Sequence, residues 1–299
     1  MDRPSHPRRS RVALPARRGP GSALLLLCLL FVASCGDVSA SAAPPPSGAL
    51  VVSFIDVGQG DATLIQSGGE SYLVDGGDPE AGPEVVDFLR SRGVEELNGM
   101  VATHPDADHI GGLPYVLDAF EVSTVYLSGD TKGTTTSNTF LRAVRDEGAR
   151  VFEARAGLVL DWAGVDATVV APPPEELFSD SNENSVSVLL TYGEARILLA
   201  GDAEEEEEEY MANGPYTGPL TVLKVNHHGS NSSSTPVFLS RFPPKIAVIQ
   251  VGENSYGHPT PETLERLREY GAKVFRNDED GDVIVTIKDQ QVDVAVTNP

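Results

Sequence analysis

Cysteine is scarce in this chain. Of its 299 residues only two are cysteines, Cys28 and Cys35, and both precede the part in which apolar blocks recur regularly. A domain formed by the rest of the chain would therefore contain no disulfide and no thiolate metal ligand. Any metal site would have to be built from histidines and carboxylates.

Basic residues are also few. The sequence has 22 Lys and Arg against 44 Asp and Glu, a formal net charge of −22. Nonspecific binding to nucleic acid depends mainly on basic side chains that neutralise phosphates, so this composition excludes a protein that coats nucleic acid. It does not exclude a cleft for an anionic substrate, provided that a cation lies in the cleft. The hydrophobic fraction of 40 % is enough for a core.

The first 34 residues predict a targeting segment. Six arginines precede an apolar run at Ala23–Ala33, which is short for a membrane span and typical of a signal peptide. The sequence VASC at residues 32–35 resembles the lipobox of bacterial lipoproteins, in which the cysteine becomes the lipid-bearing first residue. We therefore expect residues 1–34 to be a lipoprotein signal peptide and the protein to be exported and anchored to the membrane through Cys35. The alternative is cleavage further on, near Ala40, with Cys35 discarded.

The remaining sequence divides into a tether and one domain. Residues 35–48 are rich in Pro, Ser and Ala and would tether the anchor to a domain over residues 49–299. Short apolar strands open this domain, further strands then alternate with helices, and a hairpin closes it at Val283–Ile287 and Val292–Val296. A doubly wound parallel fold would not explain the hairpins. Two mixed sheets packed together, with helices on the outside, fit the order of the elements.

Five of the six histidines fall in three clusters, each just after a predicted strand. The densest is THPDADH at residues 103–109, with four potential ligands in six residues. These groups can converge only around a cation, because they would otherwise crowd one another at a desolvating strand end. Imidazole and carboxylate ligands suit Zn or Mn. The other two clusters are NHHG at residues 226–229 and YGHP at residues 256–259.

The histidine clusters belong to a recognisable set of motifs. The pattern His-x-Asp-x-Asp-His-x-Gly-Gly at residues 104–112 resembles the signature loop of the metallo-β-lactamase-fold hydrolases. Further motifs resemble the ComEC-type branch, the hydrolase domain of DNA-uptake competence proteins: DVGQGDA at 56–62, DGG at 75–77, NS at 184–185, GD at 201–202 and KVNHHGS at 224–230. The resemblance covers about Val51 to Ile287. It implies an α/β fold, a four-layer αββα sandwich, with the site at one edge of the two sheets.

The resemblance also implies a set of metal ligands. His104 and Asp106 would bind one divalent ion, and Asp108 and His109 would bind a second. Asp202 would bridge the two ions. One or two ions, Zn or Mn, are the expected cofactor.

The remaining ligands are less determined. His258 and one of the pair His227 and His228 would complete the coordination. Because neighbouring residues usually point apart, we expect His227 to bind the metal and His228 to face the substrate. Asp106 stands where most of the superfamily has a second histidine, and no histidine occurs between His109 and His227. This richness in oxygen ligands shifts the expectation towards Mn or a weakly held second Zn.

These residues predict hydrolysis of a phosphodiester. A bound ion would acidify a water molecule, and Asp108 would orient that water or accept its proton. Lys224 would hold phosphate oxygens, although a strand lysine that faces solvent is an equally good interpretation. The six consecutive glutamates Glu204–Glu209 are expected to form the exposed first turn of a helix.

The substrate class stays open at this stage. The acidity of the chain argues against stable binding of long DNA, so a small or oligomeric phosphodiester is expected, from nucleic acid or from an envelope polymer. A non-catalytic surface module that keeps a metal for stability is the alternative, although the open, carboxylate-rich arrangement favours catalysis. Hydrolysis of β-lactams would have only the fold as its support.

Overall fold

The computed structural model describes residues 45–175 and 177–298. The predicted signal peptide at residues 1–34 and most of the predicted tether at residues 35–48 lie outside the described residues. None of the helices in the described ranges is long and apolar enough to cross a membrane.

Strands and helices alternate along the described chain. The strands are β1 (Leu50–Phe54), β2 (Thr63–Ser67), β3 (Glu70–Val74), β4 (Gly99–Ala102), β5 (Thr124–Leu127), β6 (Arg150–Glu153), β7 (Val159–Leu160), β8 (Asp166–Ala171), β9 (Ser187–Tyr192), β10 (Ala195–Leu199), β11 (Leu220–Lys224), β12 (Pro244–Ile249), β13 (Lys273–Arg276), β14 (Val283–Lys288) and β15 (Gln291–Val296). The helices are α1 (Gly82–Ser91), α2 (Ala107–Ile110), α3 (Leu113–Ala119), α4 (Thr135–Glu147), α5 (Glu205–Asn213), α6 (Pro236–Arg241), α7 (Pro261–Glu269) and α8 (Asn277–Asp280).

The strands form two mixed sheets. The first sheet has the order β15-β14-β1-β2-β3-β4-β5-β6, antiparallel from β15 to β3 and parallel from β3 to β6. The second sheet has the order β13-β12-β11-β10-β9-β8-β7, parallel from β13 to β10 and antiparallel from β10 to β7. Central strands such as β1 and β11 are buried on both faces, which explains their mainly apolar sequences.

Three apolar cores hold the layers together. The core between the sheets contains Phe54 and Tyr72 from the first sheet and Val188 and Val222 from the second. A second core packs α1, α3 and α4 on the outer face of the first sheet. A third packs α5, α6 and α7 on the outer face of the second. The order helix, sheet, sheet, helix confirms the predicted four-layer αββα sandwich.

The register of the parallel strands brings several polar residues to one edge of the sandwich. Val74 of β3 lies opposite Val101 of β4, and Leu199 of β10 lies opposite Lys224 of β11. The loops that leave the carboxyl ends of these strands therefore start side by side. In open α/β sheets this edge is where ligands usually bind.

Several short elements are not indicated by the apolar pattern of the sequence, and α3 and β6 are two of them. Helix α3 follows directly after the Gly-Gly pair at residues 111–112. Its second residue is Pro114, which the first turn of a helix tolerates, and Leu113, Val116 and Leu117 attach it to the core. The edge strand β6 was also not predicted, because all four of its residues are exposed and none of the usual alternation is present.

The expected exposure of the glutamate run is wrong. Helix α5 does begin within it, but Glu207 and Glu208 are fully buried. The carboxylate of Glu183 accepts hydrogen bonds from the backbone N–H groups of Glu204, Glu206 and Glu207, at 2.8–3.1 Å. Three of the N–H groups that have no partner within the helix are thus satisfied by a residue about twenty positions earlier in the chain.

We predict that Glu183→Ala destabilises the protein. Removal of the carboxylate leaves the N-terminus of α5 uncapped, and loss of such a cap lowers the free energy of unfolding by about 1–2 kcal/mol. Urea denaturation followed by circular dichroism measures the change. Glu209→Ala is the matched control, because Glu209 is exposed on the same helix. Equal stability of the two variants would contradict the capping role.

Candidate metal centre

Loops from both sheets converge at one edge of the sandwich. Ligand atoms of His104, His109 and Asp202 lie within 4.8 Å of one another, and so do those of Asp108, His109 and His228. His104 follows β4 and Asp202 follows β10, so the centre lies where the two sheets meet. The structure therefore brings together, in two overlapping groups, residues from the signature loop, the GD pair and the NHHG loop. A third group, Asp61, Asp75 and His109, joins the DVGQGDA and DGG motifs to them.

Hydrogen bonds to Asp75 determine which nitrogens of two imidazoles are free. Asp75 accepts from the backbone N–H and the hydroxyl of Thr103, at 2.9 and 2.7 Å, and from Nδ1 of His109 at 2.9 Å. Because the Thr103 hydroxyl donates to Asp75, its oxygen accepts from Nδ1 of His104, 3.1 Å away. Both imidazoles thus carry a proton on Nδ1, which leaves Nε2 to bind a metal ion.

The His227–His228 pair has an unusual backbone. Both residues have positive φ, 45° and 51°, a conformation that costs a non-glycine residue about 1–3 kcal/mol. As a result both side chains turn to the same side, and their Nε2 atoms lie 3.6 and 3.4 Å from Oδ2 of Asp202. The expectation that neighbours point apart fails here, since it holds for extended chain and not for a left-handed turn.

The two histidines differ in their surroundings. His228 is buried, and its Nδ1 donates to the backbone carbonyl of Gln250 at 2.8 Å, so that Nε2 is free. That Nε2 lies 3.3 Å from Oδ2 of Asp108. The side chain of His227 is 21 % exposed, and its Nδ1 lies 2.6 Å from Oε1 of Glu204. The geometry therefore favours His228 as the metal ligand, whereas the sequence analysis favoured His227.

Several buried atoms at the centre have no hydrogen-bond partner among the described residues. They include His104 Nε2, His109 Nε2, His228 Nε2 and Asp202 Oδ1. A buried polar atom without a partner is costly, and such atoms are rare in folded proteins. Three imidazole nitrogens, once they are unprotonated, and a carboxylate oxygen are the donor set that binds divalent transition metals. The residues present thus fit the metal that their chemistry implies.

The remaining predicted ligands lie at the rim. Asp106 precedes α2, and its carboxylate forms an ion pair with Lys132, so it belongs to neither group of converging atoms. The ring of His258 meets that of His227 edge-on, with the centroids 5.3 Å apart. Whether Asp106, His227 and His258 bind a metal stays a proposal.

Lys224 lies beneath the centre instead of facing a substrate. Its side chain is 2 % exposed, forms an ion pair with Asp61 and donates to the backbone carbonyl of Gly201 at 2.8 Å. Its Nζ also lies 3.7 Å from Oδ1 of Asp202. The ammonium group therefore balances two buried carboxylates, and neither a solvent-facing position nor direct contact with phosphate fits this geometry.

Charge coupling among these groups shifts their pKa values. Burial lowers the pKa of His104 well below its usual range, and His109 lowers it further. Burial also acts to lower the pKa of His109 and His228, but the carboxylates around them, first among them Asp202, outweigh it and raise both. For Asp202 burial acts to raise the pKa, and the imidazoles, led by His228, hold it well below its usual range. Protons on His109 and His228 thus balance the buried carboxylates, a role that a cation can take over.

The glutamates of α5 support the centre, a function that the sequence analysis missed. Glu207 accepts a hydrogen bond from the backbone N–H of Ser185 at 3.1 Å and another from the hydroxyl of Ser187 at 3.0 Å. The Ser185 hydroxyl in turn accepts from the backbone N–H of Asp202 at 3.0 Å. Glu208 accepts from the side chain of Asn226 at 2.7 Å, which holds the loop before the two histidines. A run of six glutamates contains no sequence pattern that shows which two of them are buried.

Comparison with known proteins agrees with the motifs. The profile of the metallo-beta-lactamase superfamily matches residues 55–253. ComE operon protein 3 of Bacillus subtilis is 30 % identical over 251 residues, which cover 78 % of this chain and 32 % of that protein. Competence protein ComA of Neisseria gonorrhoeae is 32 % identical over 250 residues, which cover 82 % of this chain and 33 % of that protein. The chain thus spans about a third of the length of these relatives, and the ComEC-type resemblance is confirmed.

A solved structure shares the fold. CmlA, a diiron β-hydroxylase from Streptomyces venezuelae, superposes with a TM-score of 0.53 at 14 % identity, over 82 % of this chain and 55 % of that one. At this identity the likeness extends to the fold alone, since one fold supports many chemistries.

We predict that His228→Ala weakens metal binding far more than His227→Ala does. Loss of a buried ligand should lower the affinity for Zn or Mn by at least about 100-fold, whereas loss of the partly exposed His227 should cost about 10-fold or less, the lower end for residues that support a ligand. Competition with a chromogenic chelator measures both affinities. A larger loss of metal affinity in His227→Ala than in His228→Ala would instead identify His227 as the ligand.

Metal binding should release protons. The raised pKa values of His109 and His228 mean that both are protonated near neutral pH without a cation, and an ion can bind their Nε2 atoms only after those protons leave. Affinity should therefore fall as the pH is lowered. Calorimetry in two buffers of different ionisation enthalpy, at one pH, counts the protons. A binding heat that is independent of the buffer would contradict this coupling.

Proposed function

The chain belongs to the metallo-β-lactamase superfamily, and we propose that it is a metal-dependent hydrolase that cleaves phosphodiesters. The observation that carries the proposal is the convergence of three free imidazole nitrogens on one buried carboxylate, with Asp108 beside them. The substrate is a nucleic-acid fragment or an envelope phosphodiester. Relatedness to a competence protein supports the first of these.

Four residues would hold the ion: His104, His109, His228 and Asp202. A bound divalent ion lowers the pKa of water and balances the charge that develops on a phosphate during attack. The imidazoles of His104 and His109 are oriented by the Thr103–Asp75 hydrogen bonds, so the protein prepares this set before the ion arrives. Zn and Mn both suit the donor set.

Asp108 has the position of a proton acceptor. Its carboxylate is 28 % exposed, unlike that of the buried Asp202, so it can reach both the centre and the solvent. Its Oδ2 lies 3.3 Å from Nε2 of His228, and the imidazoles of His228 and His109 hold its pKa below the usual range despite its burial. An ionised carboxylate at this place can orient an attacking water and take up its proton.

Lys132 provides positive charge at the rim. Its ammonium group pairs with Asp106 and is more than one-third exposed. If Asp106 turns to a metal ion, Lys132 is left to bind a phosphate oxygen. This lysine is therefore better placed for substrate than the buried Lys224.

We further propose that the protein works outside the cytoplasm, attached to the membrane by a lipid on Cys35. The lipobox-like sequence and the apolar run before it support this location. With residues 1–34 removed, the loss of six arginines and one aspartate makes the chain still more acidic. Short substrates suit such a chain, because long DNA binds through many phosphate contacts.

We expect Asp108→Asn to lower the turnover of bis-p-nitrophenyl phosphate by about 100-fold or more, because loss of a proton acceptor costs about 10²- to 10⁴-fold. The assay uses residues 45–299 loaded with Mn or with Zn, and elemental analysis gives the metal content of each sample. Asp118→Asn, an exposed position on α3, is the control with the same change. No turnover with either ion at full metal content would refute the phosphodiesterase and leave a non-catalytic metal-binding module as the explanation.

A further inference from the structure

An exposed aromatic side chain lies beside the metal centre. Tyr256 is 73 % exposed, the most exposed of the large hydrophobic side chains in the described residues. Its inner face stacks on the ring of His258, with the centroids 5.8 Å apart and the planes 30° from parallel. One face of the phenol ring is therefore supported and the other is open to solvent.

The loop that carries Tyr256 is held firmly by one side chain. Asn254 Oδ1 accepts from the backbone N–H groups of Tyr256, Gly257 and His258, at 2.9–3.1 Å. Its Nδ2 donates to the carbonyls of Gly252 and His258, both at 2.9 Å. Five hydrogen bonds to and from a single amide fix the turn. The ring is therefore presented by an ordered loop, which loses little conformational entropy when a ligand packs on the ring.

Ring contacts lead from Tyr256 towards the centre. The ring next to Tyr256 is that of His258, and the ring of His227 meets His258 edge-on, with the centroids 5.3 Å apart. Nε2 of His227 is 3.6 Å from Oδ2 of Asp202. A group lying on the outer face of Tyr256 would thus be separated from Asp202 by the rings of Tyr256, His258 and His227, so a base there would belong to a nucleotide next to the one whose phosphate lies at the centre.

We propose that Tyr256 is a stacking platform for a nucleobase of the substrate, and this inference rests on the proposed phosphodiesterase function. A chain with a net charge of −22 cannot obtain most of its affinity for a nucleotide by neutralising phosphates. Stacking does not depend on net charge, and every base offers a flat face to an aromatic ring. Tyr256, with one face supported by His258 and the other open, can supply this stacking. The proposed substrate class is therefore nucleotides.

Two chromogenic substrates with one leaving group test the proposal. A thymidine dinucleotide with a 5′-(p-nitrophenyl phosphate), called the thymidine ester below, carries a second base beyond that of the cleaved nucleotide, and methyl p-nitrophenyl phosphate carries no base. Base stacking contributes about 1–3 kcal/mol, so Tyr256→Ala should lower kcat/KM for the thymidine ester by about 5- to 100-fold, mainly through KM. The methyl ester should change by less than about twofold, because the ring does not touch the phosphate.

Three further variants separate stacking from structure. Tyr256→Phe keeps the ring and should retain wild-type kcat/KM for the thymidine ester, whereas Tyr256→Leu is apolar without a π face and should behave as Tyr256→Ala. Tyr115→Ala removes an exposed tyrosine from α3 and should change neither substrate. Fluorescence anisotropy with a labelled tetrathymidylate and the metal-free protein gives an independent readout, in which Tyr256→Ala should weaken binding by a similar factor.

The outcomes distinguish this inference from the function on which it rests. Equal effects of Tyr256→Ala on both esters, or none on either, would overturn the stacking platform while turnover by the wild type leaves the phosphodiesterase standing. No turnover of either ester by the metal-loaded wild type would overturn both. A loss confined to the thymidine ester, rescued by phenylalanine, would establish Tyr256 as a base-binding residue.

Discussion

Compensation of buried negative charge is the constraint on which this structure depends. Asp61, Asp75 and Asp202 are all buried at the edge where the two sheets meet. Lys224 from the second sheet and His109 from the loop after β4 supply the opposite charge. Removal of one member of such a pair leaves a buried charge alone and costs about 3–5 kcal/mol. The site is therefore also one of the places where the two sheets are joined, beside the apolar core that lies between them.

A bound metal ion would change this balance and leave the framework as it is. Thr103, Asp75 and Gln250 accept hydrogen bonds from the Nδ1 atoms of the imidazoles, on the side away from the centre. These hydrogen bonds stay intact whether a proton or a cation is at Nε2. The buried glutamates of α5 extend the support one layer outwards, through serine and asparagine side chains. Acidic residues thus serve the protein twice, as candidate ligands and as the acceptors that hold the ligand loops.

The sequence predicted what depends on pattern and missed what depends on local backbone geometry. Apolar periodicity identified most of the strands of both sheets, and the spacing of the histidines identified the centre. The roles of His227 and His228 were assigned on the assumption that side chains alternate, as they do in an extended chain. The residue types alone do not predict two successive residues in the left-handed conformation. Burial of Glu207 was missed for a related reason: charge composition predicts a solvated helix, whereas tertiary hydrogen bonds from Ser185 and Ser187 select an inward face.

The fold by itself does not decide the chemistry, since a diiron hydroxylase shares it. What limits the possible reactions here is the combination of a cationic centre with an acidic surrounding chain. With an ion in place, an anionic substrate would be attracted over the short distance at which the ion acts and repelled by the protein beyond it, with the longer-range part screened over about 8 Å at physiological salt. Under the proposed function, such a field would select small phosphodiesters over polymers. It would also leave shape and stacking, more than charge, to decide which small phosphodiester is bound.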